Sequence, residues 1–171
     1  TVITSEDIRR STATSIPELL RMVPGVHVAR LNASEWAISI RGFNDRFANK
    51  LLVLIDGRTV YSPVWSGVLW ANQDMVLEDI DRIEVIRGPG ASLWGANAVN
   101  GVINIISKRA SETQGTLASL TLGTEARTAA LRYGGEIGDK GACRIYAKGR
   151  DYDESVVTKG DDAADDWQMG Q

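Results

Sequence analysis

The segment Arg82–Asn100, RIEVIRGPGASLWGANAVN, is the first place to look for chemistry. A strand running into glycines suits a phosphate cradle, because backbone N–H groups can close around phosphate oxygens. A dinucleotide fingerprint begun at Gly88 needs glycine at position 93, which is Leu93. A P-loop begun at Gly90 reaches its second glycine at Gly95, but Ala96-Asn97 replaces the Lys-Ser/Thr pair. Nothing is left to meet the β/γ-phosphates or Mg²⁺, so nucleotide chemistry is not expected. Nucleophilic catalysis fares no better. There is no G-x-S-x-G elbow, and His27 falls in an alternating strand beside Pro24-Gly25. One His and one Cys (Cys143) exclude a multi-His or Cys-based metal site and an internal disulfide framework. Asp79 and Asp81 read as a solvated turn. The cluster Asp161–Asp166 lacks the spaced oxygens and central glycine of a calcium loop. No catalysis, metal or cofactor is expected.

Two features point to binding. The run Tyr61–Asp74, YSPVWSGVLWANQD, has no clear period and carries no charge before Asp74. It places Tyr61, Trp65 and Trp70 in one loop, where aromatic rings either bind something or pack on their own domain. The tripeptides Ile40-Arg41-Gly42 and Ile86-Arg87-Gly88 each close a strand. An Arg at a strand end, before a freely turning Gly, can reach a carboxylate on another element. The alternative is a plain surface Arg.

The elements that must hold these groups follow from patterning in a chain of 171 residues, 43% hydrophobic and 24% charged. That composition fits a folded domain with an appendage. A net charge of −3 argues against nucleic acid as partner. The charge is uneven: residues 151–171 hold seven acids against Lys159 alone, an acidic loop or tail. Thr1 opens on a folded-looking segment, so no signal peptide is expected. The 20 uncharged residues between Arg87 and Lys108 contain too many Gly, Pro and Asn for a membrane-spanning helix.

Residues 1–4 predict a strand, and Ser5 is expected to cap a helical turn to Arg10. Ser15-x-x-Glu18 predicts a capping box, with Ile16, Leu19, Leu20 and Val23 on one helix face ended by Pro24-Gly25. Strands are expected at Val26–Arg30, Trp36–Arg41, Leu51–Ile55 with both faces buried, and Thr59–Tyr61 across an Asp56-Gly57 turn. A helical turn at Leu77–Ile80 and strands at Arg82–Arg87 and Val102–Ser107 complete an α+β pattern ending near 110. Beyond 115 the pattern changes to strands at Thr116–Leu122, Arg127–Ile137 and Cys143–Arg150, the last two joined through residues 138–141. Ala129, Leu131, Tyr133 and Ile137 oppose Thr128, Arg132 and Glu136, and Cys143, Ile145 and Ala147 oppose Arg144, Tyr146 and Lys148. Periodicity alone leaves a transmembrane barrel and a soluble amphipathic hairpin both open.

The segments TVITSEDIRRS, IPELLRMVPGVHV, ISIRGF, LLVLIDGRTVY and above all IEVIRGPGASLWGANAVNGVINIISK resemble the plug domain of TonB-dependent outer-membrane receptors. The likeness runs over about residues 1–110. Residues 115–171 match only by pattern the first three to four strands of the barrel, with an acidic loop at 151–166. The resemblance implies an α+β plug on a small mixed sheet, filling a barrel of about 22 strands in the outer membrane of a Gram-negative bacterium. It implies uptake of scarce, large solutes, most often ferric siderophores and sometimes cobalamin. TonB would supply the energy by pulling on a box that should precede Thr1 and is not in this sequence. By motif position, Phe43, Asn44, Arg46, Phe47 and Lys50 and the loop with Tyr61, Trp65 and Trp70 would face the ligand. Arg41 and Arg87 would latch the plug to barrel glutamates. A free-standing plug-like binding module is the other reading. The chain as given is expected to associate as a dimer paired through its barrel strands, with disorder of residues 115–171 as the competing outcome.

Overall fold

The segment Val2–Thr4 (β1) leads straight into the helix Ser5–Arg10 (α1), and the junction shows how local chemistry sets a helix start. Thr4, not Ser5, is the cap. Its hydroxyl accepts from the Asp7 N–H at 3.2 Å, and the Asp7 carboxylate accepts from the Thr4 N–H at 2.9 Å. The reciprocal pair needs an acid three residues after the cap, which Thr4 has in Asp7. The Thr4 hydroxyl, which also donates to the Asp7 carboxylate at 2.6 Å, and then the Thr4 N–H hold the Asp7 carboxyl below the usual carboxylate range. The second helix, Ile16–Leu20 (α2), also departs from expectation. Glu18 folds back to Thr14, taking its N–H at 2.6 Å and its hydroxyl at 3.0 Å. Two donors on Thr14 draw the Glu18 carboxylate from the single Ser15 N–H, and Ser15, still at the N-cap, makes no side-chain cap bond, so the expected box does not form.

The computed structural model describes residues 1–42, 44–124, 126–138, 141–153, 165 and 167–170. They form two units, Thr1–Leu31 with Glu35–Ser107, and Asn32–Ser34 with Lys108–Gln171. In the first unit the further strands are Val26–Arg30 (β2), Trp36–Ile40 (β3), Leu51–Ile55 (β4), Arg58–Thr59 (β5), Ile80–Arg87 (β6) and Gly101–Ser107 (β7). A short α-helical turn, Ala91–Trp94 (α3), follows β6. β2 and β3 pair as a separate hairpin, and the main sheet runs β1-β6-β7-β4-β5. β4 and β7 are parallel, and the other pairs are antiparallel. This is a small mixed sheet.

The all-apolar β4 is buried on both faces. Leu51 and Val53 join Ile83, Val85, Ile103, Ile105 and the α2 residues Leu19 and Leu20 in the main core. Leu52 and Leu54 join Ala98 and Val102 in a second cluster. The main core also takes Trp36, Ile38 and Ile40 from the hairpin. Asp56 and Gly57 turn the chain with φ of 48° and 77°, the two positive values a type I′ hairpin requires. The Asp56 carboxylate then accepts the Ser107 N–H at 2.8 Å, tying the turn to the end of β7.

The second unit is an antiparallel sheet of Gly115–Leu122 (β8), Ala126–Ile137 (β9), Gly141–Tyr152 (β10) and Trp167–Gly170 (β11), in order β11-β10-β9-β8. Its alternation is inverted relative to a water-soluble sheet. Leu120, Leu131 and Ile145 are 69%, 57% and 67% exposed, while Arg132, Lys148 and Arg150 are buried. Apolar side chains outward and polar ones inward are the pattern of barrel strands in a lipid bilayer. No helix among the described residues is long and apolar enough to cross a membrane. The acid-rich residues 154–164 lie outside the described residues.

Candidate functional site

The N-terminal ends of the parallel strands β4 and β7 and the C-terminal end of β6 lie at one end of the sheet. The loops 44–50 and 88–100 therefore emerge together. The Asn100 N–H donates to the Lys50 carbonyl at 2.9 Å and ties one loop to the other. The loop 61–74 joins them through its aromatic tip. Ser62 and Gly67 pair as an isolated bridge, so Pro63–Ser66 forms a tight tip. There the Trp65 ring stacks on Phe47, with centroids 5.7 Å apart and planes 22° off parallel.

That stack depends on Gly67. A Cβ on Gly67 would lie 2.8 Å from both Cα and Cβ of Phe47. Only a residue without a side chain lets the two loops approach this closely. The Arg46 guanidinium lies 5.1 Å from the Phe47 ring centroid, within cation–π range, and forms an ion pair with Glu35.

The residues expected to face a ligand divide. Trp65 is 51% exposed, Phe47 and Tyr61 are half-buried, and Asn44, Arg46 and Lys50 are exposed. Phe43 lies outside the described residues. Trp70 is a correction: it is 6% exposed and belongs to the main core. The chain makes a 3₁₀ turn at Trp70–Asn72 as it leaves the loop, and this returns Trp70 to the interior. Val64, 83% exposed beside Trp65, was missed by sequence reasoning because a lone Val in a loop carries no signal. The partnership of Glu35 with Arg46 was also invisible, since it joins a hairpin to a loop.

Arg41 and Arg87 are both exposed. Arg41 ends β3 with φ of 62°, a left-handed conformation rare outside glycine. Arg87 donates to the Pro24 carbonyl at 2.8 Å. The Cβ that Gly88 lacks would lie 4.0 Å from Arg41 Nη1, so the two motifs adjoin. Among the described residues no ion pair neutralises either guanidinium. A different polar cluster lies on β6. Arg82 bonds to Glu84 at 2.8 Å, and Asn104 donates to the other Glu84 oxygen at 3.1 Å. The Arg82 guanidinium, helped by Asn104, holds the Glu84 carboxyl below the usual range. No group of three or more potential metal ligands occurs among the described residues.

The chain is 36% identical over 145 residues to the vitamin B12 transporter BtuB of Vibrio cholerae, a match covering 84% of this chain and 23% of that protein. The siderophore receptor PirA of Pseudomonas aeruginosa superimposes with a TM-score of 0.62 at 29% identity, over 90% of this chain and 28% of PirA. The ferric-catecholate import receptor Fiu of E. coli K12 gives 0.65 at 28% identity, over 93% of this chain and 22% of Fiu. The chain thus spans about a quarter of the length of these relatives. Residues 1–102 match the model of the TonB-dependent receptor plug domain. The chain belongs to the family of TonB-dependent receptor plug domains.

Proposed function

We propose that residues 1–110 form the plug, and residues 115–171 the first wall strands, of an outer-membrane transporter for a scarce, large solute. The plug closes the barrel and its apical loops hold the solute until TonB pulls on a segment ahead of Thr1. Ferric siderophores are the first class of solute and cobalamin the second, since receptors for both are among the relatives. The observation that carries the reading is the Phe47–Trp65 stack, half-exposed where the loops of a plug-family chain converge. Arg46 lies against Phe47, and Asn44, Lys50 and Tyr61, on the same loops, add polar and aromatic contacts to the solute. Arg41 and Arg87 hold the plug to glutamates of the barrel wall. Their exposure and lack of an ion pair among the described residues support that role. The protein moves its solute without chemically changing it.

The test is binding by the full-length receptor. Replacing Phe47 and Trp65 together by Ala should weaken solute binding by about 1–3 kcal/mol, as for aromatic anchors at interfaces. Unchanged affinity would remove the assignment.

A further inference from the structure

The boundary between the two units falls between Ser107 and Lys108, and the chain is held on both sides of it. Before it, the Asp56 carboxylate accepts the Ser107 N–H at 2.8 Å and the Ser107 hydroxyl at 2.9 Å. After it, Arg144 of β10 donates to the Lys108 carbonyl at 3.1 Å. Residues 108–114, which join β7 to β8, therefore go with the second sheet and not with the first.

This linker has a structure of its own. It makes a 3₁₀ turn at Ala110–Glu112. The Arg109 N–H donates to the Glu112 carboxylate at 2.7 Å, and the Thr113 hydroxyl donates to the Ala110 carbonyl at 3.2 Å. Thr113 is buried, and it crosses β9 at Gly134, the direct cross-strand partner of Arg144. A Cβ on Gly134 would lie 2.1 Å from the Thr113 carbonyl oxygen and 3.0 Å from Gln114 Cα. Both neighbours are backbone, so only a residue without a side chain admits the crossing. Gly134 has no positive φ, so what it supplies is space. Gly135 faces the other way, and a Cβ there would first meet the Tyr133 ring, at 3.2 Å.

We propose that Gly134 and Arg144 moor the linker to the wall and fix the C-terminal end of the plug. Seven residues set free could extend to about 25 Å at most, and the mooring withholds that slack. A pull ahead of Thr1 then works against a fixed end at Lys108. This rests on the plug-and-wall reading and adds the point at which the plug is made fast.

The experiment is amide hydrogen exchange on the full-length receptor. The Glu112 and Thr113 amides donate to the Arg109 and Ala110 carbonyls at 2.9 and 3.3 Å, and they report the linker. Gly134→Ala and, independently, Arg144→Ala should each lower their protection by about tenfold or more. Gly135→Ala should leave it unchanged, and protected amides across β9 and β10 show that the sheet is intact. In cells, Gly134→Ala should raise entry of the large antibiotic vancomycin when TonB is present, and Gly135→Ala should not. Wild-type linker protection in both Gly134→Ala and Arg144→Ala, an equal loss in Gly135→Ala, or vancomycin entry no greater in Gly134→Ala than in the unmodified receptor would overturn the proposal. Uptake by the unmodified receptor that does not depend on TonB would instead remove the transporter reading.

Discussion

Replacing Trp65 and Trp70 separately by Ala should separate two roles that share one loop. Trp70 is 6% exposed in the main core, and Trp65 is 51% exposed on the apical surface. A buried aromatic side chain removes about 150–250 Å² from water. At about 25 cal/mol per Å² this is worth about 4–6 kcal/mol as an upper bound. Measured Trp→Ala losses in cores run at about 3–5 kcal/mol, and that is the range expected for Trp70→Ala. Trp65 is about half covered, so scaling the same range by half gives a cost to the fold of about 1.5–2.5 kcal/mol. Amide hydrogen exchange on the full-length receptor reads both. Val53 in β4 and Ile103 in β7, both fully buried, report the core of the first unit. Trp70→Ala should lower their protection by more than about a hundredfold, and Trp65→Ala by about seventyfold at most. Solute binding should show the reverse sensitivity in protein that remains folded. Equal loss of protection in the two variants, or none in Trp70→Ala, would refute the division.

Arg87→Ala in the full-length receptor should raise plug mobility and passive leak, since breaking one side of a buried ion pair costs about 3–5 kcal/mol; wild-type plug protection would count against the latch. Arg41→Gly should leave the end of β3 as well protected as before, because glycine adopts φ of 62° without strain, yet loosen the plug as Arg87→Ala does. The Asp7 carboxyl is held below its usual range by Thr4, so its contribution is complete above the unfolded pKa of about 4 and is lost as pH falls through the lower folded value. Protection of α1 amides should therefore drop in acid and do so less steeply in Asp7→Asn; an identical pH profile in the variant would contradict this. The 171-residue chain by itself should associate without detergent through β8–β11, whose apolar face is exposed and whose edges lack further neighbours among the described residues; a monomeric mass by light scattering, with protected amides across 127–150, would refute it.

What the sequence revealed and what it concealed have a common physical basis. Asp56-Gly57 is legible because only one turn type wants positive φ at two successive residues flanked by apolar strands. The run Leu51–Ile55 is legible because an all-apolar strand needs cover on both faces, which the two clusters supply. The inverted exposure of β9 and β10 agrees with their alternation, which fixed the two faces but not which one met solvent. The first cap falls one residue early, at Thr4, because Asp7 folds back to it, while Ser15 stands at the second N-cap as expected but without the box, because Glu18 folds back to Thr14. The candidate surface was legible as a stretch of chain and not as a set of side chains. Trp65 and Trp70 are five positions apart in an aperiodic loop, and a 3₁₀ turn decides which one is buried. The Arg46–Glu35 pair depends on separate segments meeting, for which local pattern carries no signal.

The most direct measurement is uptake of labelled cyanocobalamin and ferrichrome by cells carrying or lacking the full-length receptor, each with and without TonB. Concentrative uptake of at least one of these solutes, requiring both the receptor and TonB, is expected. Uptake of both solutes that is the same with and without the receptor, or that persists undiminished without TonB, would contradict it.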